Sequence, residues 1–270
     1  MDGSINHQLM GDYLHPTPEG AKAWAQAMEP LLSQLMGDRS LDNDIPKNTA
    51  VVPVTNWELD NYNWFDRHTK VLAMKDSIHP EIILIGDSNT SLWGGEPALK
   101  SADTALFGPY RVLNLGFGSD RTQNVLWRLD HGEVDALHPK LVIINIGAGN
   151  TRETQHARIN TSAEIVEGIK EICGRIRSKI PAANIVVMGV FSGENDPDSS
   201  RRVLINQINK QLEDFTAKNQ LNFVDVGKKM HKNDGTILPG MMLDFDHLSE
   251  KGYAVWSDGL RPIIQNVLLR

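Results

Sequence analysis

The sequence predicts an α/β protein, a three-layer α/β/α sandwich around a five-stranded parallel sheet. Three observations predict it. Five short apolar runs recur along the chain: Ile82 to Ile85, Val112 to Leu115, Leu141 to Ile146, Ile185 to Val190 and Asn222 to Val226. Helix-period stretches at 62–76, 121–135, 160–179, 199–218 and 250–269 alternate with them. The first run shows no alternation of apolar and polar residues, which suits a strand buried on both faces. Strands joined through helices pair in parallel, so helices are expected on both sides of the sheet.

Taken in order, residues 1–36 form an appendage that repeats the chain's end. Sliding the chain by 232 positions superposes residues 2–36 on 234–268 without a gap. Asp2, Gly3 and Ile5 fall on Asp234, Gly235 and Ile237, Asp12 and His15 on Asp244 and His247, and Gly20, Trp24 and Pro30 on Gly252, Trp256 and Pro262. Thr17 followed by Pro18 reads as an N-cap with proline at the first helical position, and Ser249 followed by Glu250 is its counterpart. An apolar stripe through Trp24, Met28, Leu31, Leu32 and Leu35 has to dock on something, so a homo-oligomeric contact through this helix is one expectation and a vestige of a tandem array the other. Residues 37–50, GDRSLDNDIPKNTA, are polar and aperiodic and read as a linker. The main domain is expected over residues 51–270.

Within that domain the first strand stops in Gly86, Asp87 and Ser88, which delivers a serine to the carboxyl end of a central strand, where open α/β sheets bind ligands. The second run leads into Gly116-Phe117-Gly118-Ser119-Asp120 and a helix containing Trp127. The third leads into Gly147-Ala148-Gly149-Asn150. Cys173, the single cysteine, falls inside an amphipathic helix and reads as a small buried apolar residue.

Composition excludes several functions. A net charge of -7 without a basic cluster argues against nucleic acid and anionic membrane surfaces as partners. No apolar run reaches membrane-spanning length, and the opening MDGSINHQLMGD lacks the regions of a signal peptide, so the chain as written reads as cytoplasmic, with a periplasmic or secreted location the expectation for a native chain longer at its N-terminus. No Walker loop, HExxH, CxxC or G-x-S-x-G elbow is present, and neither glycine pair carries the third glycine of a dinucleotide loop. No metal and no cofactor are expected.

A serine needs a base to take its proton, and histidine titrates in the right range. LDFDHLS offers Asp244 and His247 just before the last helix, in the order Ser, Asp, His along the chain. The plainer reading has Asp244 and Asp246 serving only the helix N-terminus. Loops 116–120 and 147–150 are the candidate sources of oxyanion donors. Trp93 either walls the pocket or packs in the core. Arg121 either meets a polar substrate group or is an exposed helix-start arginine.

These blocks together resemble the SGNH (GDSL) hydrolase superfamily, whose fold is flavodoxin-like, and within it the branch of the platelet-activating factor acetylhydrolase catalytic subunits and their bacterial relatives. The stretch NLGFGSDRTQNVLWRLDHGE, the NTAVVPV segment and the D-F-x-H-L ending carry the likeness, which covers Asn48 to Arg270. The resemblance implies a serine esterase acting on short acyl, chiefly acetyl, esters of a small molecule, with Ser88 as nucleophile, His247 as general base and acid and Asp244 as its orienting partner. Asp246 is then a decoy. It also implies oxyanion donors from the backbone of Ser88, the backbone of Ser119 and a side-chain amide after the third strand. The family's asparagine position falls on Gly149, with Asn150 one residue late. Either Asn150 swings into the hole, or turnover is slow, or the chain is an impaired module that keeps the pocket for binding.

Overall fold

The structure is a computed structural model that describes residues 8–10, 15–36, 48–56, 58, 60, 62–93 and 105–269. The chain divides into two compact units, Met1–Lys47 and Asn48–Arg270. The first contains helix α1, Pro18–Met36. The second contains α2 (Trp64–Ile78), β1 (Ile82–Gly86), a single helical turn α3 (Ser88–Ser91), β2 (Val112–Gly116), α4 (Thr122–Asp130) and β3 (Leu141–Asn145). It continues with α5 (Ser162–Lys179), β4 (Asn184–Met188), α6 (Ser200–Lys218), β5 (Asn222–Val224) and α7 (Glu250–Leu268).

All five predicted strands form one sheet in the order β2-β1-β3-β4-β5, every neighbouring pair parallel. β1 and β3 are central and buried along their whole length, which is why their sequences are unbroken apolar runs. Successive side chains of β1 feed opposite cores. Ile83 and Ile85 pack in the layer that includes Val125 of α4, Ile169 of α5 and Leu212 of α6. Ile82 and Leu84 pack in the layer built on Trp256 and Leu260 of α7. Burying such a side chain is worth about 1.5–3 kcal/mol, so one strand contributes to the stability of both layers. The connection from β1 to β2 runs to one side of the sheet and that from β2 crosses β1 to reach β3, which makes the carboxyl end of β1 a topological switch point.

Two boundaries and one element differ most from expectation. The helix expected over 121–135 ends at Asp130, because Gly132 at φ +94° and Ala136 at φ +61° turn the chain and bring Glu133, fully buried, onto Arg128 of the same helix. Residues 48–50, expected in the linker, belong to the sandwich: Asn48 caps a 3-10 turn at Thr49–Val51, its amide donates to the Glu164 carbonyl, and buried Ala50 accepts from Thr122 Oγ1. The one-turn helix starting at Ser88 was not expected at all; residues 37–47 lie outside the described residues.

The internal repeat is structural. α1 and α7 begin and end at matched positions, and the turns before them share hydrogen bonds. Thr17 N donates to Leu9 O at 2.9 Å as Ser249 N does to Met241 O at 3.0 Å, and Gly20 N reaches Thr17 Oγ1 at 3.1 Å as Gly252 N reaches Ser249 Oγ at 3.2 Å. The helix faces differ: Trp256 is 1% exposed, whereas Trp24 is 61% exposed. Asp12, the residue matched to Asp244, lies outside the described residues.

Candidate active site

The site begins where β1 has to turn. A Cβ on Gly86 would lie 2.1 Å from Thr90 Oγ1 and 2.3 Å from the Asn145 carbonyl, so only glycine lets the chain bend this tightly into α3. Asp87 caps the turn by accepting the Asn89 N–H at 3.1 Å. Ser88 is the first residue of α3, and its N–H therefore has no helical acceptor.

The loop before α7 supplies the partners. His247 Nε2 lies 3.1 Å from Ser88 Oγ, and its Nδ1 lies 2.8 Å from Asp244 Oδ2. Asp244 Oδ1 also accepts the backbone N–H groups of Asp246 and His247, both at 2.7 Å. Burial raises the Asp244 carboxyl, but the hydrogen bonds from the imidazole and the two amides outweigh it and hold the group below the ordinary carboxylate range. A carboxylate kept ionised in this way fixes the Nδ1–H tautomer and leaves Nε2 free to take a proton from Ser88.

Asp246 does different work. Its carboxylate is clamped by Arg152 at 2.6 Å and Arg201 at 2.7 Å, and Arg201 also donates to Thr151 Oγ1 at 2.9 Å. Asn89, unnoticed in the sequence although it follows Ser88, brackets the histidine: its amide donates to Asp246 O at 2.8 Å and its Oδ1 accepts from Leu248 N at 3.0 Å. Tyr253 Oη closes the bracket on the Asn89 carbonyl at 2.6 Å.

The oxyanion candidates separate. Ser119 lies on the cavity wall in a left-handed conformation, φ +61°, and its N–H makes no hydrogen bond among the described residues. The neighbouring Gly118 N–H is already given to Tyr62 Oη at 2.6 Å. Asn150 corrects the expectation that its amide reaches the pocket. It is fully buried; its Nδ2 donates to Gln123 Oε1 and Asn160 Oδ1, both at 3.0 Å, and its Oδ1 accepts from Thr122 N at 3.0 Å. These bonds tie the third-strand loop to α4, and releasing the amide would orphan several buried groups. Gly149 does line the cavity, but a Cβ there would meet Asp120 O at 2.8 Å, so the loops have closed on the glycine.

Arg121 overturns the reading of an exposed helix-start arginine. It is 2% exposed, and its guanidinium donates to the carbonyls of Arg152 at 2.6 Å and Arg158 at 2.9 Å, holding the loop that follows Asn150. Trp93 is core, packed edge-on against Phe107 and Tyr253 and tilted against Trp256, and does not line the cavity. Burial pushes the Cys173 thiol up to about 12, as suits an inert core residue. Under the second-strand loop, Asp120 accepts from Trp64 Nε1 at 2.8 Å and Arg128 Nε at 2.9 Å; burial still raises its carboxyl to about 6, against the lowering by Arg128. Burial likewise raises the Asp87 carboxyl to about 7. The cavity over Ser88 encloses about 720 Å³, and Glu58, Tyr62, Arg67 and Arg152 stand on its walls. No cluster of metal-ligating side chains occurs among the described residues.

A parallel sandwich whose switch point carries a serine, a histidine and a carboxylate in hydrogen-bonded line is the build of a hydrolase. The chain belongs to the GDSL-like lipase/acylhydrolase family, whose model matches residues 84–255. It is 32% identical over 225 residues to the platelet-activating factor acetylhydrolase IB subunit alpha2 of Rattus norvegicus, covering 82% of this chain and 92% of the relative. Among solved structures it is similar to a GDSL-like lipase from Bacteroides thetaiotaomicron, at TM-score 0.62 and 16% identity over 76% of this chain and 98% of that one. An acetyl xylan esterase, AlAXEase, matches at TM-score 0.57 and 13% identity over 68% and 98%. No helix of the described residues is long and apolar enough to cross a membrane.

Proposed function

We propose that this member of the family is a serine esterase that removes short acyl groups, acetyl foremost, from a polar alcohol through an acyl-enzyme. The observation that carries the reading is the continuous line from Ser88 Oγ to His247 Nε2 at 3.1 Å and from His247 Nδ1 to Asp244 Oδ2 at 2.8 Å. Ser88 Oγ attacks the ester carbonyl carbon while Nε2 takes its proton; collapse of the tetrahedral adduct expels the alcohol, which receives that proton. Water then attacks the acyl-serine, giving its proton to His247, and the acid leaves as Ser88 recovers its hydrogen. The backbone N–H groups of Ser88 and Ser119 receive the oxyanion. The charged side chains on the cavity walls favour a hydrophilic alcohol, and the names of the relatives, an acetylhydrolase and an acetyl xylan esterase, favour acetyl as the acyl group.

A second reading is favoured by one observation, the commitment of Asn150 elsewhere with Gly149 in the asparagine position. Loss of one oxyanion donor costs about 2.7–4 kcal/mol of barrier, a hundredfold to a thousandfold in rate, so the esterase is expected to be slow and the pocket of an impaired protein would still bind esters. Hydrolysis of p-nitrophenyl acetate decides between them. Turnover that disappears in Ser88→Ala supports the esterase; release no faster than that variant's leaves a binding module.

A further inference from the structure

A second recess, of about 290 Å³, opens beyond the carboxyl ends of β4 and β5, between α6 and the turn that follows β5. Its floor is apolar, made by Val190 and Ile205. Its walls hold more positive than negative charge. Lys210 is answered by Glu213 at 3.8 Å and Asp214 at 3.2 Å, and Lys228 by Asp225 at 3.6 Å. Arg202 is answered by nothing anionic. It is 6% exposed, its two terminal nitrogens donate to the carbonyls of Glu194 at 2.9 Å and Gly235 at 3.2 Å, and it makes no ion pair among the described residues. A buried guanidinium without a counter-ion is costly, and burial alone already lowers its proton affinity. On the same wall the Nε2 atom of His231 is buried with no hydrogen-bond partner.

We propose that this recess is a second ligand site, which takes a small organic monocarboxylate: the carboxylate beside Arg202 and His231, the short alkyl or aryl chain on Val190 and Ile205. One added negative charge balances the single unanswered cation, and the apolar floor gives a carboxylate with a carbon tail an advantage over an inorganic anion. The site lies outside the catalytic constellation, so its occupancy does not depend on the esterase reading. If that reading holds, the ligand belongs to the same class as the acid released.

The pH dependence has a definite sign. Burial and the Arg202 charge lower the imidazole's affinity for its proton, while its bond to the Gly227 carbonyl and the Asp225 charge act the other way, leaving His231 below its ordinary value. A bound carboxylate stabilises the protonated ring, so binding takes up a proton and weakens as pH rises.

Isothermal titration of the Ser88→Ala protein with sodium butyrate, and separately with inorganic phosphate, tests the assignment. Expected is saturable butyrate binding, several-fold tighter at about pH 5.5 than at about pH 8, with phosphate weaker. Arg202→Met should weaken it by about tenfold or more. His231→Gln, which also serves should the arginine variant fail to fold, should remove the pH dependence. Absence of saturable binding, affinity unchanged in Arg202→Met, a pH dependence that persists in His231→Gln, or preference for phosphate would overturn the proposal. Activity toward p-nitrophenyl acetate, measured apart on the parent protein, keeps failure of this site distinct from failure of the catalytic reading.

Discussion

Asp244 and Asp246 are the same residue type two positions apart, and their surroundings assign them different tasks. Asp244 faces the imidazole and two backbone amides; Asp246 faces two guanidinium groups. Asp244→Asn should therefore lower kcat on p-nitrophenyl acetate by about 10³–10⁴, because the amide no longer holds the Nδ1–H tautomer. Asp246→Asn should cost much less, since Asn89 still holds the loop through the Asp246 carbonyl. Equal losses in the two variants would contradict the division of roles. Asp87 yields a stability prediction. Its folded carboxyl keeps its proton to about pH 7, while the unfolded chain releases it near pH 4, so the folded state binds the extra proton between these values and stability falls as pH rises through them. The full shift corresponds to about 4 kcal/mol. Asp87→Asn can still cap Asn89 but does not ionise: thermal melts should show a higher Tm than the parent at pH 8 and a clearly smaller difference at pH 5, vanishing as the pH falls below the unfolded carboxyl's range. A Tm difference that does not grow with pH would refute this.

At the scale of elements, the two copies of the last helix show how little sequence likeness says about exchangeability. At Gly259 of α7 a Cβ would lie 2.2 Å from Val226 Cγ1, and the matched residue in α1 is Ala27. Tyr253, whose hydroxyl holds Asn89, is matched by Ala21. α7 is thus fitted to this sheet at points where α1 is not. Helix propensity alone predicts that Gly259→Ala stabilises by about 1 kcal/mol. The steric conflict with buried Val226 predicts the opposite sign, a net loss of about 1–3 kcal/mol, which urea unfolding would resolve. Stabilisation by the alanine would mean that α7 shifts freely on the sheet.

For the whole molecule, the compact unit starting at Asn48 contains the full sheet, both apolar layers and every residue of the proposed triad. A protein of residues 48–270 is expected to unfold in one cooperative transition and to hydrolyse p-nitrophenyl acetate at the full-length rate; loss of either would show that residues 1–47 complete the domain, as the expected oligomeric contact through α1 would require. The five parallel strands, the burial of the first of them and the delivery of Ser88 were legible in the sequence because they depend on local period, on glycine at a tight bend and on the rule that parallel strands need crossovers. The D-x-x-H loop was legible for a similar reason, since Asp244 binds a histidine only three residues away. The fate of Asn150 was not. Its amide had a choice of partners, and the sandwich places Gln123 and Asn160 against it. The burial of Arg121 was not legible for the same reason, because the carbonyls that bury it lie 31 and 37 residues further along. The sequence by itself determined the five strands, the long helices between them and the end of the sheet at which Ser88 stands. Only the tertiary structure decided which polar groups face the substrate, because a buried donor goes to whichever acceptor the folded chain places nearest, and that competition has no local trace.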